Sequence, residues 1–235
     1  MTDTTKDTAV IIAAGGAGLR FGALKQFLTL GGRHIIHYSL DVFDTLSELV
    51  AVTLVLPSEH LKIGEEVVSQ WQSAKGDAAP EVLVVAGGDR RQDSVWCGIK
   101  ALPPQARYVL VHDAARPLVL AADVQRVLKE IRRSGAALLG TPCADSIKRV
   151  KDSTIVEELP RDEIWAVQTP QGAALDLLRT AYAKVGNRDW TDEASLLRAA
   201  GIDPILVAGS RDNVKLTQPG DEAFAEAILR ARVTR

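Results

Sequence analysis

IIAAGGAGLRFGALKQFL, residues 11–28, is an apolar run that breaks into a glycine-rich loop carrying Arg20 and Lys25. A run of this kind marks a buried strand with a phosphate-holding loop at its carboxyl end. Glycines let backbone N–H groups approach an anion and accept positive φ. Two familiar loops do not fit. A dinucleotide loop has G-x-G-x-x-G opening a helix directly, but Phe21 stands where the third glycine belongs and helical spacing resumes only near His34. A Walker A loop closes on Gly-Lys-Ser/Thr, which nothing here matches. What remains is a long loop in which Arg20 offers a planar fork of donors and Lys25 a point charge. That pair suits a centre that gains negative charge in a transition state. An Arg and a Lys in solvent beside a structural glycine turn is the competing reading on this loop alone.

Outward from this stretch, short apolar runs alternate with helical spacing. AVIIAA (9–14), VAVTLVLP (50–57), EVLVVAG (81–87), YVLVHDAA (108–115), AALLGTP (136–142) and PILVAG (204–209) lack polar alternation, as strands covered on both faces do. Residues 34–46, 59–74, 93–102 and 121–135 carry helical spacing, the last closing on Gly135 as a C-cap. Strand–helix alternation predicts an α/β, Rossmann-like, doubly wound and mostly parallel sheet, with ligands beyond the carboxyl ends of its strands. The whole of 1–235 reads as one domain. The pattern breaks at about 143–166, where SIKRVKDSTIVEEL has the charged, period-two texture of an exposed hairpin. We expect a projecting β-arm that packs on a second subunit; a surface meander within the monomer is the alternative. Helical texture returns at 172–186, 192–200 and in EAFAEAILRARV.

Composition narrows the function. The chain has 235 residues, 46% hydrophobic, with a formal charge of −2, so a sizeable core is available and a net basic face for nucleic acid is not. Two cysteines, Cys97 and Cys143, suggest a reducing compartment. The polar start MTDTTKDT has no signal-peptide core, and no run approaches a membrane span. A cytoplasmic protein with no membrane or nucleic-acid partner is expected.

Further segments converge on the loop. GGDRRQDS (87–94) is a second glycine turn, with Asp89 and a helix start expected at Asp93 or Ser94. VHDAARP (111–117) puts Asp113 and Arg116 at a strand's carboxyl edge, where an Asp can bind ribose hydroxyls or Mg²⁺. TPQGA (169–173) and WTDEAS (190–195) read as hydroxyl-bearing turns before helices, with Thr191 and Ala194 in a capping arrangement. SRDNVKLT (210–217) places Lys215 in a short β-like run, where a lone solvated lysine is the usual reading. Of four histidines only His112 neighbours a candidate residue, and it reads as core.

AAGGAGLRF with LKQF, GGDRRQDSV, VHDAARP, DSIKR, QTPQ, TDEAS and DNVKLT follow one another over about 13–217. In this the chain resembles the 2-C-methyl-D-erythritol 4-phosphate cytidylyltransferase family of the non-mevalonate isoprenoid pathway. The resemblance implies attack of the methylerythritol 4-phosphate oxygen on the α-phosphorus of CTP, with Mg²⁺, releasing pyrophosphate. It implies catalytic roles for Arg20 and Lys25 at that phosphorus, and for Arg161 and Lys215 on the attacking phosphate. Ala14, Gly15, Gly16, Gly18, Gly88, Asp89, Ser94 and Asp113 match CTP-binding positions, and Asp113 is also the candidate metal ligand. Arg116, Ser146, Thr169 and Thr191 match acceptor-binding positions. A homodimer is implied, with Arg161 delivered from the partner subunit, and no room is expected for the fused cyclodiphosphate synthase domain of some relatives. The chain departs from the family at Leu24, where Pro is common, at Ala14-Gly15, where two alanines are, and at Ser146, where Thr is. Rival readings are a pentitol phosphate cytidylyltransferase such as the ribitol 5-phosphate enzyme, a silent nucleotide-binding module, and a nucleotide-sugar transferase. The second would be expected to lose Arg20, Lys25 or Lys215, and the third wants a D-x-D that is missing.

Overall fold

A computed structural model describes residues 5–15, 25–186 and 188–233, with Lys25 and Val233 described by backbone alone. The chain opens with β1 (Thr8–Ala13), then the two-residue strands β2 (Thr29–Leu30) and β3 (Arg33–His34), which pair with each other. Helix α1 (Ile35–Asp44), β4 (Leu49–Leu56), α2 (Leu61–Lys75), β5 (Val82–Ala86), α3 (Arg91–Lys100) and β6 (Tyr108–Asp113) alternate as the sequence predicts. Then come α4 (Ala121–Ser134), β7 (Ala136–Pro142) and a hairpin of β8 (Ile147–Lys151) and β9 (Thr154–Leu159). The chain ends with β10 (Trp165–Ala174), α5 (Leu175–Lys184), α6 (Glu193–Ala199), β11 (Ile205–Ala208) and α7 (Asp221–Val233).

Seven strands form the central sheet in the order β11-β7-β10-β6-β1-β4-β5. All neighbours are parallel except β10, which runs antiparallel to both β6 and β7. Period-two geometry sends alternate side chains of one strand to opposite faces. In β1, Val10 and Ile12 join the core under α1, α2 and α4, while Ala9 and Ile11 join the one under α3, α5 and α6. Each fully buried Ile or Leu contributes ~1.5–3 kcal/mol over its exposed state, which explains why these runs carry no polar alternation. Gly135 caps α4 at φ 92°, its N–H donating to the Ile131 carbonyl at 2.8 Å. Among the described residues no helix is long and apolar enough to cross a membrane.

The expected arm is present as a hairpin whose strands, among the described residues, pair only with each other. Asp152 and Ser153, at φ 48° and 63°, make the two-residue turn that matches strand twist. Arg149 and Lys148 face Glu157 and Glu158 across it in ion pairs.

Strand β10 differs from expectation. The sequence divides residues 165–174 between an arm, a turn at TPQGA and the start of a helix, yet they form one strand in the middle of the sheet. Its Gln168, Thr169 and Gln171 are buried, and buried polar side chains beside Pro170 and Gly172 look like a turn in a one-dimensional reading. The 210–217 segment also differs. It contains no strand, because the buried Asn213 amide donates to the Thr169 carbonyl (2.9 Å) and to Gln168 Oε1 (3.2 Å) instead of the chain joining a ladder.

Gly172 shows how tightly β10 is fitted. A Cβ there would lie 2.3 Å from the Val109 carbonyl oxygen, which belongs to sheet backbone and cannot rotate away. At Gly98 in α3 a Cβ would meet the Ile11 Cγ2 methyl at 2.8 Å, a side chain that can shift, and Ala gains helix propensity. Gly172→Ala should therefore lower unfolding free energy by at least about 1–3 kcal/mol, and Gly98→Ala by clearly less, in paired urea titrations.

Candidate active site

The carboxyl ends of β1, β4, β5 and β6 open onto a cleft of about 370 Å³. Ala14 and Gly15 line it after β1, Gly87 to Arg91 and Ser94 after β5, and Asp113 to Ala115 after β6; Gln26, Glu59 and Lys215 complete the wall. At the second glycine turn, Ser94 Oγ accepts from the Gly88 N–H at 3.2 Å and donates to the Gly88 carbonyl at 3.1 Å. A Cβ on Gly87 would stand 2.5 Å from that Oγ, so a larger residue there would have to displace the Ser94 hydroxyl from the Gly88 backbone. Helix α3 begins at Arg91, two residues before the expected start. Asp93, in its first turn, accepts from the Arg90 N–H at 3.3 Å and from its guanidinium at 2.7 and 2.8 Å.

Asp113 is the centre of charge. Lys215 Nζ donates to its Oδ2 at 2.6 Å, and Arg91 Nε and Nη2 donate to Oδ1 at 3.2 Å. Burial alone would push the Asp113 carboxyl up; the cations of Arg91 and Lys215 and the Lys215 hydrogen bond outweigh it and hold the group well below the usual carboxylate range. Arg91 also clamps Glu193 through two 2.9 Å bonds, fixing the start of α6 to the start of α3. Lys215 is thus neither lone nor in a strand. Arg116 donates to the Asn213 carbonyl at 2.9 Å, and burial pulls its guanidinium below the ordinary arginine range while Asp113 opposes that.

Behind Asp113 lies a second layer. The Asp113 N–H donates to Thr169 Oγ1 at 3.0 Å, and Thr169 Oγ1 lies 3.1 Å from His112 Nδ1. The Arg116 carbonyl, 3.1 Å from Nε2, can only accept, so the neutral ring carries its proton on Nε2 and Nδ1 accepts from the Thr169 hydroxyl. His112 is fully buried, and desolvation lowers its pKa to about 4. One neutral imidazole therefore ties together the backbones of Asp113 and Arg116.

The other expected residues fall as follows. Asp89 and Gly88 line the cleft with Ala14, Gly15 and Ser94. Thr169 is buried beneath Asp113, its hydroxyl turned to the backbone and His112, and it does not line the cleft. Thr191 is exposed and does not cap α6; the N-cap is Asp192, whose carboxylate accepts from the Ser195 N–H at 2.9 Å. Ser146 is exposed at the base of the arm and Arg161 exposed at its end, neither of them lining the cleft. The backbone of Lys25 opens a 3-10 turn, Lys25–Phe27. Gly16, Gly18, Arg20 and Leu24 lie outside the described residues. Arg91, Glu193 and Gln26 are site residues that the sequence does not single out. Arg91 stands in the GGDRRQDS motif as one of two arginines, and only the fold shows which of them turns inward.

The buried histidines set a pH window. The folded state holds His112 neutral down to about pH 4, whereas an unfolded histidine protonates near pH 6.5. The unfolded chain binds the extra proton between these values, so stability present above pH 6.5 is lost as pH falls towards 4. The His112 share is about 3 kcal/mol, and His37, lowered by burial, adds in the same direction. Urea titrations from pH 7 to 4 should show this decline, and His112→Phe should flatten it.

Comparison with known proteins gives these features a lineage. The family model described as 2-C-methyl-D-erythritol 4-phosphate cytidylyltransferase matches residues 8–231. Curated relatives of that name include one from Halalkalibacterium halodurans, 39% identical over 97% of this chain and 99% of its own. Another, from Acidithiobacillus ferrooxidans, is 40% identical over 95% of this chain and 96% of its own. The crystal structure of 2-C-methyl-D-erythritol 4-phosphate cytidylyltransferase from Thermus thermophilus superposes with a TM-score of 0.76 at 33% identity, covering 95% of this chain and 99% of that one. A 4-diphosphocytidyl-2C-methyl-D-erythritol synthase structure from Anaerococcus prevotii gives 0.82 at 26% identity, covering 96% of both chains. The chain belongs to the 2-C-methyl-D-erythritol 4-phosphate cytidylyltransferase family.

Proposed function

We propose that this protein joins CTP to 2-C-methyl-D-erythritol 4-phosphate in isoprenoid precursor synthesis, giving 4-diphosphocytidyl-2-C-methyl-D-erythritol and pyrophosphate. The observation that carries this is the Lys215–Asp113–Arg91 cluster lining a cleft with two glycine-bearing walls. An oxygen of the acceptor phosphate attacks the α-phosphorus of CTP, and the bond from that phosphorus to the β-phosphate oxygen breaks. The attacking oxygen is already ionised at neutral pH, so no general base is needed. In such transfers the protein mainly positions reactants and neutralises charge. The role follows for the residues: Lys215, held by Asp113, steadies the acceptor phosphate with Arg161, while Arg20 and Lys25 surround the α-phosphorus. Gly15, Gly88 and Ser94 fit the nucleotide, and Arg116 stands on the acceptor side with Ser146 and Thr191.

Mg²⁺ is part of this reading. Among the described residues no three His, Cys, Asp or Glu side chains gather into a metal cage. The carboxylates of Glu59, Asp89 and Asp113 line the cleft, and Mg²⁺ is commonly bound by one or two carboxylates together with substrate phosphates. Asp113 would hold it through an oxygen shared with Lys215 or Arg91, which already engage Oδ2 and Oδ1, and the ion would neutralise triphosphate charge. A cytoplasmic setting is part of the proposal too, and Cys97 and Cys143 are both free thiols.

The arm supports a homodimer. Val150, Ile155 and Val156 are 56%, 63% and 53% exposed on a two-stranded ladder, which is marginal without a covering surface. A second copy would cover it, and Arg161 of the partner subunit would then complete each site. Purified protein should scatter light as two chains, and Ile155→Glu should yield a monomer with much lower turnover. A wild-type monomer that is fully active excludes the arm's role.

The activity is tested by supplying CTP, Mg²⁺ and methylerythritol 4-phosphate and following pyrophosphate, with ribitol 5-phosphate as acceptor in parallel. Release with the first acceptor, and slower or none with the second, is expected. Lys215→Ala should lower kcat/KM by about 10²–10³. Faster release with ribitol 5-phosphate would overturn the assignment.

A further inference from the structure

Four glutamines are buried: Gln26, Gln92, Gln168 and Gln171. Three are paired at both ends of the carboxamide. Gln92 donates to the Arg188 carbonyl at 2.8 Å and accepts from the Trp190 N–H at 2.6 Å. Gln168 donates to the Ser210 carbonyl and accepts from Asn213. Gln171 donates to Asp192 and accepts from the Ala194 N–H. Gln26 is only 3% exposed, yet neither its Nε2 nor its Oε1 has a partner among the described residues. It is also the one of the four that lines the cleft.

Packing does not account for such a residue. An apolar side chain of the same length would fill the space without leaving a buried donor and acceptor unpaired, and orphaned pairs of this kind are rare in folded proteins. A group left unsatisfied at the wall of a binding cleft is instead poised for something that enters the cleft. The chemistry of the amide limits what that is. A phosphate oxygen would satisfy Nε2 but would set an acceptor-only anion against Oε1. A hydroxyl group both accepts and donates, and two neighbouring hydroxyls match both ends of a carboxamide.

We propose that Gln26 is a substrate-binding and specificity-determining residue, its carboxamide exchanging hydrogen bonds with hydroxyl groups of a bound substrate. The inference rests on the cytidylyltransferase reading, in which two molecules bring hydroxyls: CTP through its ribose and the acceptor through its polyol chain. Gln26 faces the cleft from the turn Lys25–Phe27.

Two variants of the full-length protein test this, Gln26→Met, which removes both polar ends, and Gln26→Glu, which keeps the shape but loses the donors. Pyrophosphate release is measured with CTP and methylerythritol 4-phosphate varied separately in the presence of Mg²⁺, alongside Tm without substrates. Gln26→Met should raise the substrate-free Tm, because an unpaired amide is gone, and lower kcat/KM about tenfold or more. Gln26→Glu should show the same kinetic loss and keeps the test alive if the first variant fails to fold. A loss confined to the CTP dependence assigns the ribose as partner; a loss confined to the acceptor dependence assigns the polyol. Unchanged kinetics in either variant, or a lowered substrate-free Tm in Gln26→Met, overturns the inference while leaving a wild-type activity standing. A wild type that releases no pyrophosphate overturns both readings.

Discussion

The buried carboxylate of Asp113 is the interaction on which the site depends. It sits at the end of β6, in register with Ala13 at the end of β1, so the two innermost parallel strands deliver it to the cleft floor. Arg91 and Lys215 meet on it from segments far apart in sequence, and Arg91 carries the connection on to Glu193. Removing Arg91 or Lys215 would strand the Asp113 charge, at a cost reduced by the partial exposure of both cations. The cluster is better understood as positioning than as stabilisation, since well-packed apolar residues often do as well for stability alone. The described cleft lining sets Arg90, Arg91 and Lys215 against Glu59, Asp89 and Asp113, so among the described residues its charges balance.

Strand β10 makes that convergence possible. Inserted antiparallel between β6 and β7, it carries polar side chains into the sheet, where each finds a partner from a different segment. Gln171 accepts from Ala194 and donates to the cap of α6, which sets the position of Glu193. Gln168 and the Thr169 carbonyl hold Asn213, two residues before Lys215. The Thr169 hydroxyl supports Asp113 itself. Each such bond nets about 0.5–1.5 kcal/mol, whereas a lost partner leaves a desolvated group that costs about 1–3. Each paired position of the network is therefore costly to break, and this fixes the loops at one geometry.

The same contrast explains what can be read in one dimension. The parallel strands are legible because burial on both faces demands uninterrupted Val, Ile and Leu, as in β1, β4 and β6. The helices are legible from their spacing, and Gly135 from the left-handed turn it permits. Ala14, Gly15, Gly88, Asp89, Ser94, Asp113 and Lys215 stand in recognisable motifs and meet at one cleft. Strand β10 is not legible, because its burial is satisfied by hydrogen bonds across the chain and leaves no apolar run. Thr191 looks like a cap because a hydroxyl before a helix is a good acceptor; Asp192 prevails as a carboxylate at the positive end of the helix. Arg90 and Arg91 are adjacent and chemically alike. The direction each takes depends on where Asp93, Asp113 and Glu193 sit once the sheet has formed.

Unpaired groups occur both in the scaffold and at the site. Among the described residues, the buried side-chain atoms without a partner are both ends of Gln26, Arg116 Nε, Asn213 Oδ1, Ser39 Oγ and Trp190 Nε1. Gln26 lines the cleft, Arg116 follows Asp113 at its edge, and Asn213 lies two residues from Lys215. A protein selected for stability alone would have replaced or paired such groups, since stabilising substitutions are generally accessible. Ser39 lies in α1 and Trp190 ahead of α6, so orphaned atoms are not confined to the site, but Gln26, Arg116 and Asn213 gather about the charged cluster. The scaffold's rigidity lets those groups remain unpaired without collapse, so that an entering substrate finds donors and acceptors already desolvated and oriented.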